Sequence, residues 1–514
     1  MKSVVVFNFV FLINAVLHAQ SFFDVTRYGA KKDSSAKATA AIGKAIAAAV
    51  KAGGGTVYFP AGKYLTGPIH LKSNITILID AGAELHFSDD FNDYLPMVES
   101  RYEGVDVKSF SPLFYAYRAE NIAIRGRGKI NGHGKKWWDF VEGYQQSQPR
   151  SRWQYLFDSA NKNILLPDDA RQMQRGFLRP PFIQPMYCSN VLVEGISITN
   201  SPFWTINPEF CENVTITGVS IDNPHSPNTD GINPESCRYV HISNCHISVG
   251  DDCITIKSGK DLPGRTKSAP AEDYTITNCT MLNGHGGVVI GSEMSGGVKK
   301  ITISNCIFDG TDRGIRIKTT RGRGGVVEDI RVDNIVMKNI KEQAIVLDME
   351  YAKGKPEPVS ERTPQFRNIR FSNITAYTQQ AMYINGLEEM PVQEISLTDV
   401  VFEANTGITV RNAKDIALHQ VRVNIKAGNA IQAENTTRME IDGLQSAGPL
   451  PGPALIMLLN TAEIWVHGCW LFSGTKVFAA IKGAATRNIT IQQNEIKDAA
   501  IDLGDEVKKE EVKL

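Results

Sequence analysis

Four short motifs in this chain carry side chains that could do chemistry: Asn228-Thr229-Asp230, Gly250-Asp251-Asp252, Gly284-His285-Gly286 and Arg316-Ile317-Lys318. Two carboxylates held close together repel, so one pKa rises or a bound water or cation must sit between them. A third carboxylate nearby could donate a proton while the pair activates water. Inverting glycoside hydrolysis divides the work in this way, with the acid and the base roughly 6.5–9.5 Å apart. Arg316 and Lys318 would supply positive charge for a carboxylate-bearing sugar, the guanidinium binding it bidentately. Each motif also has a bland explanation. Asn-Thr-Asp-Gly can be turn chemistry, Gly-Asp-Asp a solvated bend or part of a calcium site, the histidine a loop residue, and Arg-Ile-Lys an exposed strand face. The case for chemistry therefore depends on a fold that gathers the four.

A repeat supplies that fold. Asn190-Val-Leu-Val-Glu-Gly-Ile and Asn213-Val-Thr-Ile-Thr-Gly-Val are two copies of a pattern that recurs along the chain, with later copies starting at Tyr239, Asp273, Lys300, Asp329, Asn368, Glu394, Asp415, Arg438, Glu463 and Asn488. Earlier copies start at Asn74 and Asn121. From Asn190 the steps are mostly 21–29 residues, with two longer ones of 34 and 39. Each copy alternates apolar and polar residues, which is strand periodicity. Short strands at this period predict the coils of an all-β, right-handed parallel β-helix; a propeller blade would need about 40–45 residues, and the leucine pattern of a leucine-rich repeat is missing.

The phase of the repeat then aligns the motifs. Ile254 and Ile256, Val288 and Ile290, and Ile315 and Ile317 lie at matching places in their copies, so they stack inward on successive rungs. Thr255, Val289 and Arg316 face outward between them. Asp230 and Asp252 each precede an inward isoleucine by two residues, which puts them on adjacent rungs roughly one strand spacing, about 4.8 Å, apart. Asp251 and His285 share a position, and Arg316 and Lys318 point outward together on the next rung.

Other segments depart from the repeat. Residues 1–20 read as a secretory signal: Lys2, an apolar stretch from Val4 to Leu17, and a small residue at Ala19. That predicts an exported protein, periplasmic or extracellular, with no membrane insertion. The single β-helix domain is expected over 21–504, opening with a helix over Ser34–Ala52 that plugs the end of the coil and is capped by Ser34 or Ser35. Insertions around Lys260–Ala271, over Tyr351–Gln365 and over 135–179 are expected to line or wall a groove. Residues 505–514 read as a charged, solvated tail. With 55 Lys+Arg against 55 Asp+Glu among 514 residues there is no polybasic field, so bulk charge does not point to a nucleic-acid partner.

Eight cysteines in an exported chain invite disulfides. Their phase favours reduced stacks instead. Cys245, Cys279, Cys306 and Cys469 share one apolar place, while Cys188, Cys211 and Cys237 each sit two residues before a copy. Neighbouring rungs are close enough for a bridge, so both readings stay open. No paired C-x-x-C spacing suggests a metal site.

The four motifs, in order, resemble those of the family 28 glycoside hydrolases, the polygalacturonases, and the likeness extends over nearly the whole mature chain. The resemblance implies inverting hydrolysis of α-linked galacturonate in pectic polysaccharide or oligogalacturonides, by a monomer that needs no cofactor. It implies Asp251 as general acid, Asp230 and Asp252 as activators of water, and His285 as the group that tunes the acid. Arg316 and Lys318 would bind the galacturonate carboxylate, with Asn228 and Tyr351 as further substrate contacts. The retained Arg-Ile-Lys favours galacturonate over the rhamnogalacturonan-cleaving branch, and the insertions suggest exo action. A pectate lyase-like enzyme with calcium and a basic proton acceptor is a rival. So is a non-catalytic polysaccharide-binding β-helix, which has no need of a carboxylate triplet beside a basic pair.

Overall fold

The residues that open the copies of the repeat share an uncommon backbone. Asn74, Asn121, Asn190, Asn213, Asp273 and Asp329 all have φ between 54° and 63° in a computed structural model of the chain. This left-handed region is the one that Asn and Asp tolerate best after glycine, which is why they begin so many copies. Their side chains form a ladder on the outside: Asn121 Nδ2 donates to Asn74 at 2.9 Å, Asn190 to Asn121 at 2.9 Å, and Asn213 to Asn190 at 2.8 Å. The structure describes residues 22–143, 150–163, 178–352, 354–448 and 452–514. The signal segment, residues 1–20, lies outside them.

Each such corner feeds a short strand that pairs in parallel with its counterpart one coil on. Ile124, Val193, Ile216, Ile242, Ile276, Ile303, Val332, Phe371 and Leu397 form one unbroken column of parallel partners. All are buried inside the coil. Every such rung adds a large apolar side chain worth roughly 1.5–3 kcal/mol of burial. The fold is the expected right-handed parallel β-helix. Among the described residues no helix is long and apolar enough to cross a membrane.

The ends differ from expectation. The plugging helix is Thr39–Lys51, with Ala41, Ile42, Ala45, Ile46 and Ala49 buried on the coil, and Ala38 at its N-cap makes no side-chain hydrogen bond. Ser34 and Ser35 belong to the strand Asp33–Lys37, which pairs with Gly62–Thr66. Strand pairing along the first coil thus outcompetes the helical preference of the residues before Thr39. At the other end the chain after Asp505 is not a free tail: Val512 and Lys513 pair with Ile489 and Thr490.

One element had no signal in the repeat. Val98–Tyr102 and Val105–Ser109 form the antiparallel hairpin. Its tip, Glu103 and Gly104, has φ of 43° and 82°, the two positive values a type I′ turn requires. The described parts of the 135–179 insertion, helices Lys135–Gly143 and Arg152–Ala160, pack behind this region. Trp137 stacks on Phe91 at 3.9 Å, and Asn161 Nδ2 donates to the Lys108 carbonyl at 2.8 Å. The insertion thus buttresses the hairpin. Of its described residues, Arg179 is the one that reaches the motif-bearing loops, where its guanidinium donates to the Pro227 carbonyl at 2.7 Å.

All eight cysteines are unbridged and buried. Their thiols donate to backbone carbonyls, as Cys237 does to Pro208 at 3.3 Å.

Candidate active site

Ile232 pairs with Ile254, and Asp252 pairs with Gly286. These registers put Asp230 and Asp252 on neighbouring rungs and Asp251 beside His285. Thr255, Val289 and Arg316 line up outward. The alternation read from sequence is the alternation observed. All eight residues singled out from sequence line one cleft of about 410 Å³.

Within it the three carboxylates converge: one oxygen each from Asp230, Asp251 and Asp252 lies within 4.8 Å of the others. Each carboxylate has its own basic partner. Lys257 Nζ is 3.0 Å from Asp230, Lys318 Nζ is 2.9 Å from Asp252, and His285 Nδ1 is 3.2 Å from Asp251. Asn233 Nδ2 also donates to Asp230 at 3.2 Å, and Asn228 Nδ2 to Asp251 at a long 3.4 Å. Asp230 and Asp252 have side chains only 5% and 3% exposed, against 19% for Asp251. The pair is therefore sunk in the floor, and Asp251 stands at the mouth. Three clustered acids could hold a cation, but the three bases already supply the neutralising charge.

The environments pull the acids apart. Burial dominates at Asp230 and pushes its pKa up to about 7; Lys257 opposes this, and the charges of Asp251 and Asp252 add to it. At Asp251 burial acts upward too, but the hydrogen bond and charge of His285, with Lys318 and Lys257 behind them, hold the group down to about 2. His285 is raised in turn, first by its hydrogen bond to Asp251. Groups this close titrate as a set. Between Asp230 and Asp251, it is Asp230 that holds a proton more tightly.

Lys318 is turned onto Asp252 with a side chain 11% exposed, whereas Arg316 has no acidic partner among the described residues; both cations lie 5.3 Å from the Tyr351 ring. Repulsion between two adjacent bases and the attraction of a buried carboxylate explain the division. Sequence reading missed Lys257, although the Ile256-Lys257 step repeats Ile317-Lys318 and the same alternation would have found it. Lys257 lies 4.0 Å above the Trp204 ring, and Trp204 stacks on Tyr102 of the hairpin at 5.5 Å. Tyr102, Phe203 and Trp204 line the cleft on the Lys257 side. The hairpin tip is fastened there: Lys260 Nζ meets Glu103 at 2.8 Å, and buried Arg101 ties the hairpin to Glu235 at 2.7 Å.

Acids set against bases in a groove walled by aromatic rings define a site for cleaving sugar polymers. Residues 167–422 match Glycosyl hydrolases family 28, and residues 22–136 match Rhamnogalacturonase A/epimerase, pectate lyase-like. A Vitis vinifera protein named probable polygalacturonase is 32% identical over 68% of this chain and 67% of its own. An endo-polygalacturonase of Pectobacterium carotovorum is 28% identical over 74% of this chain and 88% of its own. The crystal structure of a hyperthermoactive exopolygalacturonase from Thermotoga maritima superposes with a TM-score of 0.70 at 34% identity, covering 78% of this chain and 91% of that one. The chain belongs to glycoside hydrolase family 28. It is a glycoside hydrolase.

Proposed function

We propose that this enzyme hydrolyses α-linked galacturonate in pectic polysaccharide with inversion, taking units from a chain end. The observation that carries the reading is the carboxylate triad, each acid matched to its own base, beside an Arg316 with no acidic partner among the described residues. The relatives are named for polygalacturonate hydrolysis.

Asp251, at the mouth, protonates the leaving oxygen, and His285 and Asn228 orient it. Asp230 and Asp252 receive the attacking water between them; Asp252 Oδ1 is a buried acceptor without a partner. Arg316 takes a substrate carboxylate and stacks its plane against Tyr351, while Lys318 steadies Asp252 and adds charge behind it. The proton must pass to Asp251 when substrate binds. A sugar lying over His285 strips the remaining water from Asp251, and lost solvation raises a carboxyl pKa. Asp230, having given up its proton, is then free to accept from the water held beside Asp252. Activity in the acidic to neutral range follows.

The hairpin and Trp204, which wall the cleft on the Lys257 side, support exo action over cutting in mid-chain. We further read the protein as an exported monomer, periplasmic or extracellular. The decisive assay follows reducing ends on polygalacturonate with chelator present and ultraviolet absorbance recorded. New ends without absorbance support hydrolysis; an absorbing product that chelator abolishes would replace it with lyase chemistry. Early monomer supports exo action, whereas early mixed oligomers with a fast loss of viscosity would refute it.

A further inference from the structure

Every galacturonate unit brings a carboxylate, and a cleft that holds units on both sides of the cut must neutralise two of them. The acids already there, Glu103, the triad and Glu293, make an unmatched carboxylate costly. Most of the bases are committed. Lys257 lies 3.0 Å from Asp230 and 3.8 Å from Glu293, Lys318 is on Asp252, His285 on Asp251 and Lys260 on Glu103. Two guanidiniums remain with donors to spare. One is Arg316, which among the described residues has no acidic partner and lies over the Tyr351 ring.

The other is Arg323, on the loop after Lys318 and in the lining of the same cleft. Its side chain is 13% exposed. Nη1 donates to Asp261 at 2.7 Å, but Asp261 is 48% exposed and already solvated. Nη2 reaches Ser292 only at 3.5 Å, and Nε is buried with no partner. A guanidinium has five donors arranged to grip a carboxylate, and this one is barely used. Through Asp261 it adjoins Lys260, which holds the hairpin tip at Glu103, so it belongs to the hairpin side of the cleft. His285 and Asp251 precede their strands whereas Arg323 follows its own, which sets it on the opposite wall from the proton donor.

We propose that Arg323 is a second carboxylate-binding residue, gripping the galacturonate unit on the hairpin side of the cleft while Arg316 grips the unit across the cut. This rests on the galacturonate reading above. The test measures D-galacturonate and D-galactose binding by calorimetry on the whole chain as wild type, Arg323→Gln, Arg323→Lys, Arg316→Gln and Asp261→Asn, with steady-state kinetics on trigalacturonate alongside. Loss of a charge-assisted, two-point contact should weaken galacturonate binding by about ten- to a hundredfold. It should leave galactose binding unchanged and raise KM more than it lowers kcat, with Arg323→Lys recovering part of the loss. Asp261→Asn should keep galacturonate affinity or increase it. If Asp261→Asn loses affinity as Arg323→Gln does, Arg323 merely braces the loop and the proposal fails. It fails equally if Arg323→Gln binds galacturonate as wild type does, or if the wild type binds galactose as well as galacturonate. A wild type that binds galacturonate through Arg323 yet releases no reducing ends would overturn the hydrolase reading and leave the subsite standing.

Discussion

The same outward-facing columns run through two regions of the β-helix with different results. In the rungs from Trp204 to Lys318 they carry Lys257 on Asp230 and Lys318 on Asp252, side chains 3–11% exposed. Farther along, the matching positions carry Asn385 on Asp348 at 3.0 Å and Arg411 on Glu434 at 3.1 Å, the latter pair 45% and 29% exposed. The strand register runs on through both, but in the site each Lys reaches an Asp at the start of an earlier rung, whereas Asp348, Asn385, Arg411 and Glu434 stack on successive rungs of the Lys318 column. What also differs is cover: the first region lies beside the hairpin, Trp204 and the loops after the strands, whereas Asn385 is still buried and the Arg411–Glu434 pair meets solvent. Water screens the one set of charges into a surface ladder, and its exclusion gives the other perturbed proton affinities.

The largest expected difference between the regions is catalytic. Asp251→Asn should lower kcat on polygalacturonate by about 10²–10⁴-fold, the range for losing a general acid, with the far-ultraviolet spectrum unchanged. Glu434→Gln, in the exposed pair with Arg411, should leave kcat within a factor of two or so of wild type. Similar kcat losses in the two variants would sink the idea that cover creates the site.

Stability should separate the ladders next. Lys257→Met leaves buried Asp230 and Glu293 without their shared cation and, above about pH 7 where Asp230 is ionised, should cost roughly 3–5 kcal/mol in denaturant unfolding. Arg411→Met breaks an exposed pair and should cost about 0–1 kcal/mol. Gly104→Ala probes the cover itself. A Cβ there would sit 2.5 Å from the Lys260 backbone nitrogen at a φ of +82°, so the tip must lift. Early products should then shift from monomer toward mixed oligomers; an unchanged product profile would remove the hairpin from the exo mechanism.

The smallest effect is in the pH dependence of stability, and the signs are opposed. Asp230, raised from 3.8 to about 7, binds protons more tightly when folded, so its contribution is present below about pH 4 and lost as pH rises to about 7. His285, also raised, loses its contribution as pH climbs through its folded pKa. Asp251, lowered to about 2, contributes above about pH 4 and fades as pH falls toward 2. Thermal melts from pH 4 to 8 should therefore decline less steeply for Asp230→Asn than for wild type. Parallel curves would mean that the proton is not held there.

Much of this was legible in the chain. A repeat that begins on residues tolerant of positive φ and alternates apolar with polar sets which side chains stack inside, because a strand has a period of two and a one-residue slip would expose the core. From that alone Asp230 and Asp252 fall on adjacent rungs, Asp251 falls beside His285, and Arg316 faces out. The helix cap and the chain end were misplaced for one reason: strand pairing at both ends of the coil recruits residues whose local preferences do not announce it.

What the tertiary structure alone decided was what covers the ladder and which charges pair. Glu103 meets Lys260 across 157 residues, Arg101 meets Glu235 across 134, and Lys318 turns to Asp252 across 66. No spacing in the sequence encodes these contacts. They form because a hairpin outside the repeat folds back over the coil, and the water it excludes makes each buried charge find a partner. Sequence periodicity determined where the acids stand; long-range burial decided how they hold their protons.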